Sequence, residues 1–239
     1  MGEVNTRVNT RVNFNDIAWA AVFFYYRSVA DIQYCKILGD EPFIEKLRQT
    51  PHGITASEFE QKVLLDYVSI SNYDVLIEHK LAERLLEKIV GLQPDVSAVQ
   101  SLTLLDCDLS DSAIADRIGK IYADLYSVPG LWVTGVSKIA HLLNDRLLVL
   151  LNLDISAHFR LLEDSTGVIT WVGILQDSAR QVTRDFQERG YQGTPEEFIS
   201  EKLGYNGRGC HKSLVKYLDE YYWLRFADSL PIPPPWIPT

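Results

Sequence analysis

The sequence predicts an all-α protein, and three observations carry that prediction. Apolar residues recur at helical spacing, as in Val75, Leu76, Leu81, Leu85, Leu86 and Ile89, while no segment alternates with the period of two that a half-buried strand requires. Helix-start signatures recur as well: Thr55 and Ser57 each stand three residues before a Glu, Glu58 and Glu60, as in a capping box. Pro51, Gly91 and the pair Pro129-Gly130 stand where periodic runs stop.

Read in order, the opening VNTRVNTRVN is two and a half copies of a four-residue unit, too short for a repeat architecture, and residues 1–14 are expected to be a flexible N-terminus. Asn15 or Asp16 caps a first helix running to about Tyr34, apolar around most of its surface. Pro42 suits the first turn of a short helix that ends before Pro51. A helix follows the Thr55/Ser57 start to about Val68, and another covers 73–90. Residues 93–109 read as an irregular acidic loop with a short turn. Ser110 or Ser112 starts a helix through Tyr126. Short helices are expected over 135–143 and 154–162, and a long amphipathic one over 171–189. Thr194-Pro195-Glu196-Glu197 combines a cap, a first-turn proline and two acids facing the helix dipole. A last helix runs from Gly209 or Cys210 to Phe226, and SLPIPPPWIPT cannot continue it. Residues 15–227 thus read as a single all-helical domain, a bundle with an N-terminal helical layer, and 228–239 as an extended Pro-rich tail.

Composition bounds the function. At 239 residues, 46% hydrophobic and 23% charged, the chain is long enough to bury a large core. Three cysteines without paired spacing argue against a disulfide scaffold and for a reducing compartment. No His/Cys spacing fits a metal, and no cofactor motif occurs. The apolar run 17–26 is too short to span a bilayer and lacks a small-residue cleavage site, so the expectation is a cytoplasmic protein without membrane contact. The net charge of −9 is uneven: residues 1–129 carry 12 basic and 19 acidic side chains, and 130–239 carry 11 and 13. Phosphate neutralisation supplies most non-specific nucleic-acid affinity, so a phosphate-binding face must be local and must lie in the second half.

The most informative stretch is 133–159, VTGVSKIAHLLNDRLLVLLNLDISAHF. It reads as glycine turn, helix start, apolar helix, short apolar crossing, and an Asp opening the next helix. This layout resembles the helix-hairpin-helix region of base-excision DNA glycosylases, and more closely an uncharacterised bacterial family with a TG-x-SK-x-x-H-L-x-N segment followed by Asp. The resemblance covers about 110–160, roughly a third of the chain with some support toward the last helix, and its motifs are of low specificity. It implies a helix-hairpin-helix-like centre, a bacterial source, and DNA as partner. Two turns qualify for the hairpin, 128–131 and 133–137, and Ser137 stands where a second glycine would be. Gly135, Ser137 and Lys138 then face a phosphate; the bland alternative is a plain helix–helix turn with Thr134 or Ser137 capping. Aligned on Gly135, Lys138 falls one position before the slot of a nucleophilic lysine, so a covalent role is not expected of it. Asp154 matches the catalytic Asp of that family, and also fits a simple N-cap. His141 shares a helix face with Lys138, where packing competes with ligand contact.

A second site is the glycine loop Gly204-Tyr-Asn-Gly-Arg-Gly209 before Cys210-His211-Lys212-Ser213. Cys210 and His211 interrupt the nucleotide P-loop pattern, which leaves an anion site at a helix start built from Arg208, His211 and Lys212, or a flexible turn. Asp106-Cys-Asp108-Leu-Ser110-Asp111 lacks the Gly and Glu of a calcium loop. Tyr221, Tyr222 and Trp223 are core on one face or, with the tail and Trp236, a contact for a second copy of the chain. The expected function is binding of nucleic acid or another phosphate-rich ligand by a degenerate relative of the glycosylases. The alternative is a non-catalytic protein-interaction module, and an enzyme would need a closed pocket lined by Asp154 and His141.

Overall fold

The first helix begins at Phe14, earlier than expected, because Asn13 forms the capping box. Its side chain accepts the Asp16 N–H at 3.1 Å, and the Asp16 carboxylate accepts the Asn13 N–H at 3.0 Å. The structure, a computed structural model, describes residues 12–69, 80–162 and 164–228, apart from the Arg208 side chain. Among the described residues there are twelve α-helices and no strand, so the protein is all-α. They are α1 (Phe14–Arg27), α2 (Val29–Leu38), α3 (Glu41–Gln49), α4 (Ala56–Phe59), α5 (Leu81–Gly91), α6 (Gln93–Val99), α7 (Ser112–Tyr126), α8 (Val133–Leu143), α9 (Leu153–Phe159), α10 (Ser165–Glu188), α11 (Pro195–Leu203) and α12 (Leu214–Tyr222). α4 continues as a π-helix over Glu60–Val68, and α12 as a π-helical segment over Trp223–Ala227.

Several expected elements differ, each for a local reason. The single helix expected to run to Tyr34 is two helices, because Ser28 leaves helical geometry and its side chain accepts the Asp31 N–H. The apolar pattern runs through this break, so periodicity alone misses it. The loop expected over 93–109 begins as α6, with Pro94 in its first turn. The carbonyls that follow are satisfied from afar: Asn144 Nδ2 donates to Val99 at 2.8 Å and to Leu102 at 3.1 Å. The last helix starts only at Leu214, capped by Ser213, because Gly204 and Gly209 both adopt left-handed backbone and a short 3₁₀ turn lies between them. Ordered packing reaches back to Val12, which is 2% exposed. The 73–79 part of the expected 73–90 helix, most of the N-terminal segment and the tail beyond residue 228 lie outside the described residues.

The layers do not follow chain order. α1 packs chiefly on α12 and also touches α10 and α11, so the first helix belongs with the last three. The N-terminal helical layer expected from the sequence therefore starts at α2, which packs on the π-helix. Phe14, Phe186, Tyr191 and Phe198 form an aromatic cluster where α1 meets α10 and α11, and the Phe14 N–H donates to Asp185 at 2.9 Å. α7 sits between α6, α8 and α10 and joins the two groups. Trp171, fully buried on α10, donates its indole N–H to Leu150 at 2.9 Å and so ties the crossing 147–152 to this layer.

Cys35 on α2 and Cys210 before α12 are joined by a disulfide, with Cα atoms 5.0 Å apart across 175 residues of sequence; Cys107 is free and buried. This corrects the reading of the cysteines as unpaired. Their separation hides a pairing that only the docking of the C-terminal segment onto α2 creates. No described helix is long and apolar enough to cross a membrane.

The interior holds a charged group that must be neutralised locally. The Lys212 side chain is wholly buried between Asp31 and Glu220, themselves buried, and it also donates to the Tyr205 hydroxyl at 2.8 Å. Removing one member of such a group leaves an uncompensated charge out of water, which costs about 3–5 kcal/mol. Lys212→Met, which keeps the length of the side chain, is expected to lower stability by roughly that amount. Urea unfolding of the native protein and the variant measures it; a loss below about 1 kcal/mol, the worth of a surface ion pair, would contradict the assignment.

Candidate binding pocket

The turn between α7 and α8 falls at 128–131, the first of the two positions the sequence offered for a hairpin. Gly130 takes a φ of 95° after Pro129, a conformation that an L side chain strains to adopt. Gly135 is not in the turn: it sits inside α8, buried, where a Cβ would meet the Leu131 side chain at 3.0 Å. The register drawn from Gly135 therefore does not describe the hairpin. Trp132, at the N-terminus of α8, stands 73% exposed.

Ser137 and His141 face inward on α8 and organise the crossing that follows. Ser137 Oγ accepts the Leu151 N–H at 3.0 Å and donates to the Leu151 carbonyl at 2.8 Å. Its hydrogen-bonding capacity is used within the fold, so it does not stand as a phosphate ligand. His141 bridges Leu148 and Tyr34: Nδ1 lies 2.6 Å from the Leu148 carbonyl and Nε2 lies 3.0 Å from the Tyr34 hydroxyl. A carbonyl only accepts, so Nδ1 carries the proton and Nε2 accepts from Tyr34. Burial lowers the His141 pKa to about 4, which keeps the ring neutral.

The crossing ends at Asn152, and Asn152, not Asp154, caps α9: its Oδ1 accepts the Ile155 N–H at 2.8 Å. Asp154 lies in the first turn as expected but is not among the residues that line the cavity beside α8. It is exposed, makes no hydrogen bond or ion pair among the described residues, and lines none of four cavities of about 240 to 730 Å³. The cleft residue of this segment is Asn152.

Asn152 opens onto a cavity of about 240 Å³ shared by α8, the crossing, the end of α1, α2, the π-helix and α12. Its walls are aromatic, with Phe24, Tyr34, Tyr67 and Trp223, and its charged groups are Lys138, Lys216 and Asp219. Lys216 is bound at 2.7 Å by Asp219 and lies 3.7 Å from Glu220. Burial alone would lower its pKa, but the two carboxylates outweigh that and raise it. Lys138 is different. Its ammonium donates to the Tyr67 carbonyl at 3.1 Å, one of the orphan acceptors at the end of the π-helix, and sits 5.4 Å from the Tyr67 ring centre. No carboxylate lies within ion-pair distance of it among the described residues, and burial, then the nearby Lys216 charge, lowers its pKa.

The glycine loop belongs elsewhere. His211 is exposed and lines a larger cavity of about 730 Å³ whose acids are Asp106, Asp145, Glu196, Glu197 and Glu201. Lys212 turns its ammonium inward to Asp31 and Glu220 and is not free for an anion; the Arg208 side chain lies outside the described residues. These two acids neutralise Lys212 within the fold. Tyr221 and Tyr222 are buried, which assigns them to the core. Of the pocket residues, Tyr34, Tyr67, Asn152, Lys216 and Asp219 escaped sequence reading as site residues, and Trp223 was read as core or contact. One signal was available for two of them, Lys216-x-x-Asp219 on a helix otherwise almost wholly apolar. Known protein families, curated proteins and solved structures give no match to the chain.

The neutral His141 makes stability depend on pH. Its folded pKa lies below the unfolded value of 6.5, so the unfolded state binds the proton first as pH falls. The stability it supports is intact above pH 6.5 and is lost toward pH 4, a loss of about 3 kcal/mol at ~1.36 kcal/mol per unit. Urea unfolding across this range should show a shallower pH dependence for His141→Gln than for the native protein; equal slopes would assign the loss to carboxylates alone.

Proposed function

We propose that the cavity beside α8 binds an anionic ligand carrying a planar ring, as a nucleotide unit of nucleic acid does. One observation carries this reading: Lys138 is a half-buried ammonium without a carboxylate partner among the described residues, opening into a pocket walled by four aromatic side chains. The cation meets a phosphate or other anion, and the aromatic faces meet a ring by stacking. At about 240 Å³ the cavity lies below the ~300–1,000 Å³ of sites for drug-sized molecules, which favours one base or ring at a time. The turn at Pro129-Gly130 leading into α8 supports a helix-hairpin-helix-like arrangement, and the resemblance to DNA glycosylases suggests nucleic acid as the source of the anion. Asn152 stands at the helix start where that comparison placed an acid. An amide there can orient a ligand but cannot neutralise a developing positive charge.

The alternative, a non-catalytic interaction module, is favoured by the solvent-facing side chains of Tyr26, Val29, Ile32 and Trp132, which are 63–74% exposed.

Titration of the native protein with single-stranded oligothymidylate, followed by tryptophan fluorescence, tests the pocket. Affinity should weaken as salt rises, because few phosphates bind a chain of net charge −9 unless a local cation holds them. Lys138→Met should weaken it about tenfold or more, in line with the ~1.5–3 kcal/mol of a charged hydrogen bond. Affinity indifferent to both salt and Lys138 would point to the interaction module instead.

A further inference from the structure

We propose that the Cys35–Cys210 disulfide is a reversible latch that sets the affinity of the Lys138 pocket; this rests on reading that pocket as the ligand site. The link is α2, which serves both places. Ala30 and Tyr34 line the pocket, while Asp31 and Cys35, one turn apart on the same helix, hold the segment 205–212.

That segment is tied to α2 by side chains. The disulfide is one tie, the Tyr205 hydroxyl donating to Asp31 at 2.8 Å is a second, and the Lys212–Asp31 ion pair is a third. The backbone N–H groups of Gly209 and Cys210 bond to the Asn206 and Tyr205 carbonyls within the segment, and that of Gly207 to Gly204 just before it. At the end of α2 the contact is close: a Cβ on Gly39 would lie 3.2 Å from the Gly209 carbonyl oxygen. Opening the disulfide removes the covalent tie and leaves polar contacts to keep α2, and with it Tyr34, in register.

The two sulfurs differ in access. Cys35 is partly exposed, whereas Cys210 is fully buried. A thiolate of an external dithiol reaches Cys35 Sγ, the S–S bond breaks, and Cys210 leaves as the thiolate and takes up a proton. The second thiol of the reductant then attacks the mixed disulfide, closes its own disulfide and releases Cys35 as a thiol. Two electrons and two protons pass to the protein, and the dithiol is oxidised by the same amount. A small-molecule disulfide such as oxidised glutathione reverses the sequence, again through Cys35.

The test uses the whole chain equilibrated in reduced and oxidised dithiothreitol. Alkylation and mass measurement should find one free thiol in the oxidised form, Cys107, and all three in the reduced form. Hydrogen exchange should rise on reduction in 29–38 and 204–213 and stay unchanged in 165–188. Affinity for oligothymidylate should fall roughly fivefold or more on reduction, and Cys35→Ser should behave as the reduced form in either buffer. Oxidised glutathione should form a mixed disulfide with Cys210→Ser, at Cys35, and none at Cys210 in Cys35→Ser. Three alkylated thiols in oxidising buffer, or equal exchange in both states, overturns the latch. Equal affinity in both states overturns its control of the pocket. Absence of binding in both states fails the pocket reading and the control proposed for it together, while the exchange comparison still decides the latch.

Discussion

The fold depends on keeping one ammonium group neutralised without water. Lys212 has no route to solvent, so Asp31 from α2, Glu220 from α12 and the Tyr205 hydroxyl must converge on it. Burial pushes the Glu220 pKa up, and Lys212 followed by Lys216 pulls it back, so the group holds together only as a set. It ties α2 to α12 through one shared ammonium. One turn along α12 from Glu220, on the side toward the pocket, stands Lys216, held by Asp219 and lying 5.2 Å from the Tyr34 ring. The same helix therefore carries the charges that lock the core and the charges that face the cavity.

Much of the fold was legible in the sequence, and the reason is local. Thr55, Thr194 and Pro195 act over three or four residues, and each stands at its helix start as read. The break at Ser28 was not legible from periodicity, because the apolar pattern continues through it, and the late start of α12 follows from the left-handed backbone at Gly204 and Gly209 and the cap at Ser213. The site was legible in part. Ser137, Lys138 and His141 lie in one segment, and that segment does line or support the pocket. Its other half comes from Tyr34, Tyr67, Lys216 and Asp219, residues far apart in sequence that no spacing rule connects. Asp154 misled for a simpler reason: an acid near a helix start draws attention, yet Asn152 two residues before it holds the cap and faces the cavity.

The strong negative charge and a pocket lined by Lys138 and Lys216 are compatible because charge is balanced locally, pair by pair. Lys62, Lys120 and Arg48 bind acids on the surface or at its edge, and Lys212 and Lys216 bind acids in the interior. Against that background Lys138 stands out by its place, a partly buried ammonium in the wall of a cavity with no carboxylate paired to it among the described residues. Interactions between exposed charges more than about 8 Å apart are largely screened at physiological salt, so acids on distant parts of the surface weigh little on the charge at Lys138.

The placement of α1 has a consequence for how the chain reaches this structure. Its apolar face, with Ile17, Ala20, Ala21 and Phe24, is covered by α12, and its first N–H is met by Asp185. During synthesis the partners of this helix are the last of the domain to leave the ribosome, at ~5–20 residues per second. For about ten seconds or more at that pace, α1 has its hydrophobic stripe bare while α2 to α10 assemble. Burial of this stripe against α12 therefore waits until the chain has been made as far as Tyr222.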